Sequence, residues 1–198
     1  KPCTFCGVFR RRVMDEAARQ LGADRVVTAH NLDDEAQTAI MNLLRGDYVG
    51  LVRMHPVAAL ATREFVPRVK PLRKIYEWET ATYAFKSGYP IQSMECPYLY
   101  ESPTLRLRVR LAMYRLEASR PGSLLRLMEA LDQVLEPAAR ELASKPIALP
   151  RCRVCGAPTA PGRSVCKVCE LMEKAGLKPP PRREAVLVAL QQTLQPGS

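Results

Sequence analysis

Apolar and polar positions first alternate at helical spacing over residues 8–21, where Val13, Met14, Ala17, Ala18 and Leu21 form a stripe opposite charge. Gly22 marks the end of that helix. Arg25-Val26-Val27-Thr28-Ala29 reads as a short buried strand. His30-Asn31-Leu32-Asp33-Asp34 forms a loop, and residues 34–45 form a second amphipathic helix stopped by Gly46. Residues 48–70 lack a helical period and read as extended around 50–54 and 64–69, with Val66–Leu72 an edge strand because of its two prolines. Helices follow over 75–87, ended by Gly88, and over 104–118. Residues 122–144 read as one or two more, interrupted near Pro137. Helix, strand, loop, helix is the order of an open parallel α/β sheet, in which ligands sit beyond the carboxyl ends of strands. The His30–Asp34 segment occupies such a position.

Composition adds a partner class. The 198 residues hold 30 Lys and Arg against 20 Asp and Glu, a formal charge of +10, so an anionic partner is favoured. Nucleic acid leads, since Lys and Arg neutralising phosphates supply most sequence-independent affinity. A 47% hydrophobic content is enough for a real core. No apolar run reaches the ~20 residues that span a bilayer, and no secretory leader opens the chain. Paired C-x2-C motifs without a leader indicate metal binding in a reducing compartment rather than disulfides, hence a cytoplasmic location. The chain starts at Lys1-Pro2-Cys3 and runs straight into a motif, so an N-terminal part is expected to precede it.

The seven cysteines divide unevenly. Cys152-x2-Cys155-x10-Cys166-x2-Cys169 has the spacing of a closed structural zinc site with four thiolates. A module of about 25 residues cannot bury enough apolar surface to fold unaided, so metal must supply much of its stability. Cys3-x2-Cys6, placed just before the first helix, and the distant Cys96 give three thiols and leave one coordination position open. The pair alone fits a redox dithiol, half a zinc site or part of an iron–sulfur cluster. Asn31 or Asp33 caps the second helix, while the adjacent carboxylates Asp33 and Asp34 at a strand's end suit Mg²⁺ or a nucleotide-bound substrate.

Several motifs in order resemble one family. Cys3-Thr4-Phe5-Cys6-Gly7-Val8-Phe9-Arg10-Arg11, Thr28-Ala29-His30-Asn31-Leu32-Asp33-Asp34-Glu35-Ala36-Gln37-Thr38 and Met41-Asn42-Leu43-Leu44-Arg45-Gly46-Asp47 resemble the tRNA 2-thiolation enzymes. These belong to the PP-loop ATP-pyrophosphatase superfamily. Pro71-Leu72-Arg73, Glu95-Cys96-Pro97 and the terminal quartet are also similar to that family, the quartet to its archaeal and eukaryotic-type group.

The resemblance implies part of a parallel-sheet PP-loop (adenine nucleotide hydrolase-like) domain over 1–146. Beyond it come a zinc ribbon over 147–177 on Cys152, Cys155, Cys166 and Cys169, and a basic Pro-rich tail over 178–198 with a short helix. It implies ATP-dependent 2-thiouridine synthesis. The uridine C2 carbonyl oxygen is adenylated, and sulfur then displaces AMP. Cys3, Cys6 and Cys96 would hold a [4Fe-4S] cluster, or carry persulfides, with Cys3 and Cys96 in catalytic roles. Asp34 would be the catalytic or Mg²⁺-linked carboxylate, and Asp33 would lie on the ATP/Mg²⁺ side with a capping role. Arg106, Arg108, Arg110, Arg115 and Arg120 would meet the tRNA backbone, and a ubiquitin-like thiocarboxylate protein would donate sulfur. A homodimer suits the family's habit. The family's Ser-Gly-Gly-x-Asp-Ser phosphate loop and N-terminal zinc module do not occur in the sequence. That departure fits the later part of a longer enzyme; the competing reading is a non-catalytic RNA-binding zinc-ribbon protein.

Overall fold

In a computed structural model, the described residues are 2–60, 64–91, 94, 96, 98, 105–145 and 148–179. The tail beyond residue 179, and most of the residues flanking Cys96, lie outside them. Helices α1 (Pro2–Gln20), α2 (Leu32–Arg45), α3 (Tyr48–Val52), α4 (Glu77–Lys86), α5 (Leu105–Ser119), α6 (Ser123–Ser144) and α7 (Lys167–Lys174) dominate. Strands β1 (Val26–Val27) and β2 (Arg68–Val69) form a two-stranded sheet. The Val26 N–H donates to the Pro67 carbonyl and the Thr28 N–H to the Val69 carbonyl. Both strands advance together along this ladder, so the pair is parallel.

The chain divides into two compact units, one of Lys1–Val26, Thr62–Pro67 and Pro146–Ser198, the other of Val27–Ala61 and Arg68–Lys145. The leading helix groups with the cysteine-rich module in this division. In this first unit α1 starts at Pro2, earlier than its apolar stripe suggested. Proline suits a first helical turn because its missing N–H would have no partner there. The stripe is only partly the buried face. Ala18 is buried and Met14 half-buried, but Val13 is 64% exposed, and the buried positions include Asp15 and Glu16. The Asp15 carboxylate accepts the Val66 N–H at 2.9 Å and the Arg19 guanidinium at 3.2 Å, so the acid is satisfied where apolar residues were expected.

In the second unit α2 is the central element. Leu32, Ala36 and Ala39 are fully buried, and the alanines let α5 and α6 approach closely. Their core is completed by Val109 and Met113 of α5 and by Leu124 and Met128 of α6. Two expectations change here. Residues 48–60 are a short helix and a 3-10 turn (Pro56–Leu60) rather than extended chain, because Leu51, Val52 and Ala58 bury one side of compact turns against the core. Residues 123–144 form one unbroken helix despite Pro137. Pro137 and Gln133 are both exposed, so the Gln133 carbonyl that loses its helical donor is left to water.

Candidate functional site

The four terminal cysteines converge. Gly156, at φ +71°, supplies the left-handed turn after the first pair, and Cys166 opens α7. All four thiols are buried, with ligand atoms within 4.8 Å of one another. Cys152 and Cys169 sulfurs stand 3.9 Å apart, and those of Cys155 and Cys166 3.6 Å. Tetrahedral zinc with bonds of about 2.3 Å places sulfurs ~3.8 Å apart, so the four fit that ion. The Cys166 N–H donates to Cys152 Sγ at 3.2 Å. Burial works to raise the Cys152 thiol, but backbone N–H groups from Cys155, Cys166 and Val154 outweigh it and bring it down to about 6. Burial pushes Cys166 up, and burial together with the thiols of Cys155 and Cys166 pushes Cys169 up. A divalent cation, if bound, would resolve this crowding by taking all four as thiolates and releasing protons.

Cys3 and Cys6 lie inside the first turns of α1, not ahead of it, at the i, i+3 spacing that puts them on one face. Both are exposed and free, as is Cys96. The first two belong to one unit and Cys96 to the other. Among the described residues the quartet is gathered within reach of one ion. Three free soft thiols outside the ribbon nevertheless match the donor chemistry of an iron–sulfur cluster with one iron open.

The loop after β1 leads into α2, whose first turn holds Asp33 and Asp34 and points them apart. Asn31 caps α2, its side chain accepting the Asp34 N–H at 3.0 Å. Asp33 is 5% exposed and turns away to accept the Glu77 N–H at 2.7 Å, closing the start of α4. Its expected capping role therefore falls on a different helix. Burial raises the Asp33 carboxyl above its ordinary value, against the lowering effect of that hydrogen bond. Asp34 stays 42% exposed, 3.9 Å from Arg106 Nη1. Arg106 also donates to Gln37 Oε1 at 3.1 Å and Thr38 Oγ1 at 3.2 Å. Arg110 meets Glu77 at 3.0 Å, so Arg106 and Arg110 are engaged by protein acceptors, whereas Arg108, Arg115 and Arg120 are exposed.

Two further ion pairs frame this loop and carried no sequence signal. The Lys70 ammonium grips both oxygens of the buried Glu35 carboxylate, at 2.7 and 2.9 Å. Arg73 binds Asp132 through a fork of 2.6 and 2.9 Å. Lys70 directly follows β2 and Glu35 lies in the first turn of α2, so the pair ties together the segments after both strands. Partners 35 residues apart in one case and 59 in the other leave no local pattern to read.

Residues 7–93 match the family model of the PP-loop domain. The chain is 38% identical over 179 residues to the tRNA 2-thiolation protein NcsA of Haloferax volcanii, covering 86% of this chain and 54% of that protein. It is 34% identical over 175 residues to cytoplasmic tRNA 2-thiolation protein 1 of Saccharomyces cerevisiae, covering 86% of this chain and 48% of that one. The chain thus spans about half the length of these relatives. Among solved structures it is similar to the U34-tRNA thiolase NcsA from Methanococcus maripaludis with its [4Fe-4S] cluster. That likeness has a TM-score of 0.67 at 30% identity, over 92% of this chain and 56% of that one.

Proposed function

With residues 7–93 belonging to the PP-loop domain family and the chain similar to tRNA 2-thiolation proteins, we propose that it acts in ATP-dependent sulfur transfer to C2 of a tRNA uridine. The observation that carries this reading is a likeness to thiolation proteins over 86% of the chain, far beyond the PP-loop segment alone. In this reading the C2 oxygen of the uridine attacks the α-phosphorus of ATP and pyrophosphate leaves. Sulfur then adds at C2, and the C–O bond breaks to release AMP.

Asp34, in the first turn of α2 with a half-exposed side chain beside Arg106, would be the carboxylate that meets Mg²⁺ or the reacting nucleotide. Asp33 would support it by tying the start of α2 to α4. Cys3, Cys6 and Cys96 would hold a [4Fe-4S] cluster, which when bound supplies an open iron for sulfur; that the solved neighbour carries a [4Fe-4S] cluster supports a cluster in this chain, and the three free thiols supply the donors. Zinc would fill the quartet. A cytoplasmic location accords with the name of the yeast relative, and none of the described helices is long and apolar enough to cross a membrane. The exposed Arg108, Arg115 and Arg120 would face tRNA phosphates. A ubiquitin-like thiocarboxylate protein as sulfur donor and a homodimer complete the proposal.

Mass spectrometry of tRNA nucleosides from cells lacking the protein tests it. Loss of a thiolated uridine is expected, and unchanged thionucleosides would overturn it. Anaerobically purified protein should contain iron that Cys96→Ala loses. Retention of full iron content by that variant would remove Cys96 from the ligand set.

A further inference from the structure

Helix α1 has two unlike faces, and the cysteine ribbon accounts for one of them. Cys3, Cys6, Arg10, Val13 and Ala17 recur every three or four residues and are all exposed. The opposite stripe, Phe5, Val8, Phe9, Arg12, Asp15 and Glu16, is half-buried or buried. Val8 and Phe9 pack directly against the cluster of buried residues built by Cys152, Cys155, Ala157, Cys166, Val168 and Cys169. Phe5 continues that packing, its ring stacked on Phe9 with centroids 6.4 Å apart. Phe5 is also the residue immediately before Cys6.

A second tie runs through Glu64. Its carboxylate pairs with Arg151, next to Cys152, at 2.8 Å, and its carbonyl accepts from Arg19 of α1. Helix α1 and the ribbon thus form one packed body, and four of the six buried residues at its centre are the quartet's cysteines.

We propose that metal loading at the quartet fixes helix α1, with Val8 and Phe9 as positioning residues that set the exposed Cys3–Cys6 stripe. The physical reason is the small size of the ribbon. Its buried interior is largely four sulfurs, and without an ion those sulfurs do not hold the knuckles together. Losing them removes the surface on which Val8 and Phe9 rest. A first-turn C-x2-C on an unsupported helix end then frays, because terminal turns lack helical hydrogen-bond partners. By linkage, the contact that orders α1 also strengthens metal binding. The proposal rests on the quartet holding a metal ion and on the packing of α1, not on thiolation, so its test fails or succeeds separately from the proposed activity.

The test is amide hydrogen exchange, read by mass spectrometry, on the full chain with zinc loaded and after removal of zinc by a chelator. Peptides from α1 should exchange at least tenfold faster in the stripped protein, while α2 and α6 peptides of the other unit hold their rates. Alkylation of Cys3 and Cys6 should quicken in parallel. Phe9→Ala should either keep one zinc per chain with fast α1 exchange, or bind zinc measurably more weakly, both of which follow from the coupling. Equal α1 exchange with and without zinc would overturn it. So would a Phe9→Ala protein with wild-type zinc affinity and wild-type α1 protection.

Discussion

Replacing Lys70 by methionine should destabilise the second unit by about 3 kcal/mol, the cost of leaving a buried carboxylate unpaired. The Glu35 side chain is 3% accessible and that of Lys70 26%, with nitrogen–oxygen distances of 2.7 and 2.9 Å. At about 3 Å and an effective dielectric near 20, the gross attraction is roughly 5 kcal/mol. Partial exposure of the lysine reduces what its removal costs. Methionine keeps most of the apolar stem, so lost packing contributes little. The double variant Glu35→Leu with Lys70→Met should recover to within about 1 kcal/mol of wild type, because no charge is then buried. Urea denaturation followed by far-UV circular dichroism measures all four corners of this cycle. A single Lys70→Met cost below about 1 kcal/mol would refute the reasoning. A double variant no better than the single one would do the same.

Other outcomes follow from the same geometry. The purified chain should bind one zinc on the quartet, and Cys155→Ala should abolish that binding; undiminished zinc content would show that the ion sits elsewhere. Asp34→Asn should remove nearly all tRNA thiolation, whereas Asp33→Asn, still able to accept the Glu77 N–H, should retain most of it; reversed sensitivities would exchange their roles. Glu117 gives a pH prediction. Burial works to raise its carboxyl, yet hydrogen bonds from the Leu124 and Gly122 N–H groups and the Tyr76 hydroxyl outweigh this and hold it below its ordinary value. A depressed folded pKa means that the unfolded chain binds protons first. Its contribution is complete above the ordinary value of 4.5 and is lost as pH falls through the lower folded one. Glu117→Gln should therefore cost about 1–2 kcal/mol at pH 7 and progressively less below pH ~4 in denaturation experiments; an equal gap at both ends would contradict this.

Local signals survived where the physics was local. Gly46 ends α2 with φ +66°, and Asn31 begins it, because capping depends on residues within one turn of each other. The zinc-type spacing was legible for the same reason: each C-x2-C turn is built by neighbouring residues, and ten intervening positions return the chain. Periodicity succeeded only in part on α1. Ala18 is buried as the stripe suggests, but Val13 and Leu21 are exposed, and the buried face carries Asp15 and Glu16. A helix's face is chosen by what packs on it, here the ribbon and the Val66 N–H, and neither lies nearby in sequence.

The same division separates the two carboxylates in the first turn of α2. Sequence alone determined that adjacent acids follow a strand where a helix begins, a matter of chain order. Only the tertiary structure decided that Asp33 turns inward to α4 while Asp34 remains open beside Arg106. That choice depends on partners 44 and 72 residues away, brought close by burial of α2 against the core. Pairing at such distances is set by the whole unit's packing, not by any local propensity.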